Sequence, residues 1–155
     1  MPATGLVDGT VSLSVVSTDA AGNLSTTGTS SFVEDHTAPT APTISLKHDA
    51  ADDTGASAND SITANTRPIL VGTAEPNSTV TVTVTPASGG AIAYTATADA
   101  SGNWSVNTAT ATPTSGTLPA TGLVDGAVVL SVVTTYTAGN VSTTVTSSFV
   151  EDHTA

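Results

Sequence analysis

Cysteine is absent, and fixed positive charge nearly so. Lys47 and Arg67 stand against thirteen aspartates and glutamates, a formal net charge of −11 over 155 residues. Without thiols there is no disulfide framework, no thiolate nucleophile and no cysteine-based metal centre. With two cations the chain cannot neutralise a nucleic acid backbone or an anionic lipid surface, and neither partner is expected. Cations are attracted instead. Aromatic residues are also few: Trp104, Tyr94, Tyr136, Phe32 and Phe149 are the full set. That argues against a sugar-stacking platform and places Trp104 in the core. No apolar run is long enough to cross a bilayer as a helix, so membrane insertion is not expected. His36, His48 and His153 have no cysteine, paired histidine or nucleophile elbow beside them, and they read as surface residues. No acid–base pair sits in a cleft motif, so no enzyme is expected.

What the chain does contain is a repeat. Residues 2–38 align without a gap on residues 119–155, an offset of 117, and 30 of the 37 positions are identical. The differences are Thr10/Ala127, Ser12/Val129, Ser17/Thr134, Asp19/Tyr136, Ala20/Thr137, Leu24/Val141 and Gly28/Val145. A period this long is a whole domain rather than a solenoid unit. Residues 1–36 therefore read as the closing hairpin of one repeat, 37–42 as a linker, and 43–155 as a complete repeat. Met1 precedes a Pro2 that falls mid-repeat, as expected of a piece of a longer array of near-identical neighbours.

Threonine, serine, valine, alanine and glycine dominate, and good helix formers are scarce. In the hairpin, residues 11–18 and 24–33 read as strands around a turn at 19–23, where Gly22 and Asn23 suit positive φ. In the complete repeat, strands are expected at 43–46, 67–73, 79–84, 91–98, 104–106, 128–135 and 141–150. Residues 79–84 alternate threonine with valine, the period of a half-buried strand. Residues 49–65 read as an acidic loop and 110–121 as a connector. Seven short strands at regular spacing predict an all-β, antiparallel sandwich.

Several motifs make the prediction more specific. Gly72-Thr73-Ala74-Glu75-Pro76-Asn77-Ser78-Thr79-Val80, Thr97-Ala98-Asp99-Ala100-Ser101-Gly102-Asn103-Trp104, Thr18-Asp19-Ala20-Ala21-Gly22-Asn23 and Asp53-Thr54-Gly55 with Asp60-Ser61-Ile62-Thr63 occur here. Together they resemble signatures of bacterial Ig-like domains. The resemblance implies an Ig-like sandwich serving as an extender repeat in a giant surface adhesin, often exported by type I secretion. It implies a place at the bacterial cell surface, in adhesion and biofilm formation, with calcium stiffening the joints between neighbouring repeats.

In such a sandwich the loop after the first strand, the loop before the sixth and the end of the seventh share one pole. That pole collects Asp49, Asp52, Asp53, Asp60, Asp125, Glu151 and Asp152. Their mutual repulsion would be relieved by a hard cation with six to eight oxygen ligands, and calcium is the expected cofactor. The candidate ligands are Asp53, Asp60, Asp52, Asp125 and Asp152, with Asp35 as the earlier copy of Asp152. A neighbour's hairpin turn could add the residue at the Asp19 position, which is Tyr136 in the second copy. The alternative for Asp125 is an ordinary Asp-Gly turn. The near-identity of the two hairpins also predicts strand exchange between copies through residues 1–36. An Ig-like module that binds sugar or protein is the alternative function.

Overall fold

The computed structural model describes residues 5–154, so the outermost positions of the two repeat copies, 1–4 and 155, lie outside the account. Contacts divide the chain into two units, Met1–Thr37 and Ala38–Ala155.

The first unit is a hairpin. Strands β1 (Gly9–Val15) and β2 (Gly28–Glu34) pair antiparallel from Gly9↔Glu34 to Val15↔Gly28. The turn between them is closed by Asp19, whose carboxylate accepts the Ala21 and Asn23 amides, while Gly22 takes φ 88°. Residues 24–27 meet the partner segment without forming a strand: Leu24 bridges Thr18, the Ser25 amide donates to the Ser17 carbonyl at 2.8 Å, and the Ser25 hydroxyl accepts the Ser17 amide at 3.0 Å. The returning strand therefore starts four residues later than its composition suggests.

The second unit is a sandwich of β3 (Ser45–Leu46), β4 (Ile62–Thr63), β5 (Ile69–Thr73), β6 (Thr79–Thr85), β7 (Ile92–Thr97), β8 (Asn103–Asn107), β9 (Gly126–Thr135) and β10 (Val145–Glu151). One sheet has the order β4-β10-β9-β6-β7, the other β3-β5-β8. The alternation in β6 sets its faces: Val80, Val82 and Val84 are buried, and the threonines between them turn outward. Each buried valine contributes about 1.5–3 kcal/mol of transfer free energy. Val128, Leu130, Val132 and Phe149 extend that inner face, and Leu46, Leu70, Trp104 and Val106 close it from the other sheet. Trp104 is a core residue, 4% exposed. It packs where Gly72 leaves room. A Cβ at Gly72 would strike the Thr43 carbonyl and come within 2.6 Å of the indole.

The acidic stretch 49–65 is not all loop. It carries β4, which pairs in parallel with β10 through Val150↔Ile62 and Glu151↔Thr63. The Val150 and Asp152 amides donate to the Ser61 and Thr63 carbonyls at 2.9 and 2.7 Å. The opening segment of the repeat thus serves both sheets: β3 joins β5, and β4 crosses to β10. In the stretch read as a linker, Pro39 and Pro42 are buried and the Thr40 amide donates to Glu75 at 3.2 Å.

Candidate functional site

The acidic residues at the exit of β10 and in the 49–65 segment have different tasks. Asp52 is 2% exposed and lies inside the fold. Its Oδ1 accepts the Ile69 amide at 2.8 Å and the Asn65 side-chain amide at 3.1 Å, fixing the start of β5. Asp49 accepts the amides of Ala51 and Asp52 and pairs with Lys47 at 2.6 Å. The lysine, then those amides, hold its carboxyl below the ordinary range. Both residues organise the loop.

Asp53 is different. It is 1% exposed, and its Oδ2 accepts the His48 ring at 2.5 Å and the Ser61 amide at 3.3 Å. Its Oδ1 is buried and has no partner. Burial pushes the carboxyl up, but the His48 ring and the Ser61 and Ile62 amides outweigh it, and the group titrates below its usual value. A buried carboxylate oxygen without a donor is costly unless something satisfies it. The nearby backbone is unusual as well: Ser61 adopts φ 59°. Asp60 is exposed, with Oδ1 accepting the Ile62 amide at 3.2 Å.

At the exit, Asp125 holds the chain as it leaves β10. Oδ1 accepts the His153 amide at 2.9 Å, and Oδ2 accepts the Thr154 hydroxyl. That hydroxyl first, then the His153 amide, hold the Asp125 carboxyl below its ordinary value. The His153 ring faces two carboxylates through one nitrogen: Nδ1 lies 2.7 Å from Asp125 and 2.8 Å from Glu151. Glu151 is fully buried, and burial pushes its carboxyl up. Glu151, then Asp125, raise the affinity of His153 for a proton. Donor atoms of Asp125, Glu151 and His153 all lie within 4.8 Å of one another, a spacing that suits a metal ion.

The first unit repeats this exit with the same residues. Asp8 accepts the His36 amide at 2.8 Å and the Thr37 hydroxyl at 2.5 Å, and the His36 ring bridges Asp8 at 2.6 Å and Glu34 at 3.0 Å. The Thr37 hydroxyl and the His36 amide and ring bring the Asp8 carboxyl down to about 2. Asp8 raises the His36 ring in turn.

Of the candidate ligands named from the sequence, Asp125 alone enters this three-residue group, joined by Glu151, which was counted in the acidic pole but not among the ligands. Asp152 is exposed beside it, its amide tied to Thr63. Asp35 accepts the Thr37 amide at 3.0 Å, and Asp19 is occupied by its own turn. His153 and His36, read as plain surface residues, are partners of the clamp. The signal was the intact Glu-Asp-His-Thr run in both copies together with an Asp-Gly opening the preceding strand.

As a calcium site these residues fit in part. Calcium takes oxygen ligands. The unpartnered Asp53 oxygen, Asp60 and the Asp125–Glu151 pair supply carboxylates, whereas an imidazole does not suit that ion. Asp52 and Asp19 are committed to backbone and side-chain amides.

A two-sheet sandwich of mostly antiparallel strands is an immunoglobulin-like module, and the chain belongs to the bacterial Ig-like domain family, whose model matches residues 38–153. More particularly, the chain is similar to the crystal structure of a tetra-tandem repeat in the extending region of a large adhesion protein. The identity is 25% and the TM-score 0.55, over 98% of this chain and 34% of that one. This chain thus spans about a third of that chain's length. No curated protein sequence matches it.

Proposed function

We propose that the chain is a structural extender repeat of a large bacterial cell-surface adhesin, linked end to end with neighbouring repeats and stiffened by calcium. On this reading the protein is exported, by type I secretion, and serves adhesion and biofilm formation by distance rather than by chemistry. Residues 1–36 are the closing hairpin of a preceding repeat, able to exchange with the same hairpin of another copy. The observation that carries the reading is the repeated exit: the same Asp, Glu, His and Thr fix the departing chain in both units. An array gains reach only if each exit direction is held, and a carboxylate clamp in every copy supports that. The unpartnered oxygen of Asp53 supports a cation near the β4 edge. A ligand present at one hundred times its Kd and bound only to the folded state stabilises it by about 2.7 kcal/mol.

The test is a thermal melt of the whole chain in millimolar calcium, in excess chelator, and in magnesium. A calcium-selective rise, lost in Asp53→Ala and reduced in Asp60→Ala, is expected. Identical melts in all three solutions would remove calcium from the reading.

A further inference from the structure

β4 is two residues long, too short to hold itself in place, and it is gripped from two directions. From its own segment, Asp53 Oδ2 accepts the Ser61 amide at 3.3 Å just before the strand, and the Thr54 hydroxyl accepts the Ala64 amide at 2.6 Å just after it. From the departing chain, the Val150 and Asp152 amides donate to the Ser61 and Thr63 carbonyls. Val150 and Asp152 flank Glu151, and His153 of the exit group follows. Ser61 thus belongs to both grips: its amide meets Asp53 and its carbonyl meets β10. It does so at φ 59°, a setting that a residue other than glycine keeps only when its surroundings fix it.

We infer that a cation site at Asp53 regulates the exit of the repeat from within, through β4, with no ligand needed from a neighbouring repeat. This rests on the calcium reading proposed above and adds the route by which the ion acts. Asp53 has one oxygen for each role. Oδ2 is held by the His48 ring at 2.5 Å and by the Ser61 amide, whereas Oδ1 is buried and has no partner. A buried oxygen of this kind keeps its desolvation cost until a donor or a cation meets it. Carboxylate oxygens are what calcium takes as ligands.

The coupling works through local opening. Without a cation, Oδ1 gains a partner whenever the 53–61 segment opens to water, and that opening takes Asp53 away from the Ser61 amide. Ser61 then relaxes from its positive φ, and its carbonyl is lost to Val150. Satisfying Oδ1 removes the gain and makes the opening costlier. The reverse also holds: securing Val150 and Asp152 against β4 favours the cation, because the two events share one equilibrium. Each repeat in an array then fixes its own exit when the ion is bound, and adjacent repeats need share no ligand.

The experiment is amide exchange followed by NMR on the full chain, in millimolar calcium and in excess chelator. Val150 and Asp152 are read against Val82 of β6, which lies between β9 and β7 in its sheet. Calcium is expected to slow Val150 and Asp152 about tenfold more than Val82, the factor that goes with one charge-assisted hydrogen bond. Asp53→Asn keeps a carbonyl for the Ser61 amide and drops the charge, and it is expected to abolish that difference. Thr54→Val frees only the Ala64 amide. In chelator it is expected to speed exchange at Asp152 about fivefold relative to Val82. A calcium-dependent rise in Tm with Val150 and Asp152 slowed no more than Val82 would overturn the inference and leave the calcium reading standing. So would a full response in Asp53→Asn, or an unchanged Asp152 in Thr54→Val. No calcium response in either Tm or exchange would sink the calcium reading, and the regulation of the exit with it.

Discussion

Replacing Asp52 separates a carboxylate that builds the fold from one that waits for a cation. The side chain is 2% exposed, and one oxygen receives both the Ile69 amide at 2.8 Å and the Asn65 side-chain amide at 3.1 Å. Asp52→Ala takes this acceptor from the Ile69 amide at the start of β5 and one of two acceptors from the Asn65 side-chain amide, which keeps the Ala51 carbonyl at 3.1 Å. A part-buried donor stranded in this way costs about 1–3 kcal/mol, and the lost half of the Asn65 contact adds up to about 1 kcal/mol, so the change should cost about 1–4 kcal/mol. For a repeat of this size each kcal/mol is worth about 3–6 °C in Tm, which predicts a fall of about 3–24 °C. Asp52→Asn keeps a carbonyl oxygen in the same place and should cost less than about 1 kcal/mol. The assay is calorimetry in calcium and again in chelator. Because Asp52 is committed to amides, the Asp52→Ala loss is expected to be equal in both solutions. A loss confined to calcium would make Asp52 a metal ligand and refute the reasoning. So would an asparagine variant as unstable as the alanine one.

Two further outcomes follow from the paired copies and from the exit. Leu130→Ala, in the core, should cost about 2–5 kcal/mol, whereas the twin change Leu13→Ala, at a position 51% exposed, should stay within about 0.5 kcal/mol. Calorimetry of the two variants checks this, and equal losses would contradict the exposure of the first hairpin. At the exit, the raised His153 contributes fully below its ordinary 6.5 and stops contributing as pH rises through its higher folded value. Buried Glu151, raised above 4.5, also weakens the fold as pH rises. Asp125, held below 3.8, contributes above that value and is lost as pH falls through its lower one. Exchange of the His153 amide, corrected for its intrinsic rate, should therefore be slowest between about pH 4 and 6.5. Protection that keeps growing above pH 8 would contradict the clamp.

The sandwich was legible because burial leaves a period in the sequence. Residues 79–84 alternate, and Val80, Val82 and Val84 go inside as the pattern requires. Trp104 and Gly72 announced themselves through motifs whose packing reason appears only in three dimensions. β4 was not legible. Two residues cannot show a period, and what makes Ile62 and Thr63 a strand is β10, some ninety residues away. The acidic pole was legible as a collection and not as an arrangement. Asp52 and Asp53 are adjacent and equally buried, yet one oxygen set meets two amide donors and the other keeps an unpartnered atom. Nothing local distinguishes them, because the donors come from residues 61, 65 and 69. His153 escaped notice for the opposite reason: its partners, Glu151 and Asp125, were in view, but its own lack of company in sequence suggested idleness.

The parallel run of β4 beside β10 has a mechanical meaning. Tension on an array pulls the opening segment of a repeat one way and its closing strand the other. Two parallel strands pulled by opposite ends slide past each other, so their hydrogen bonds resist together in shear and do not open singly as in a zipper. The Val150–Ser61 and Asp152–Thr63 bonds lie at that seam, two residues before the chain departs. In the tandem array proposed above, an end-to-end pull would load this short seam in shear, apart from the valines of the core.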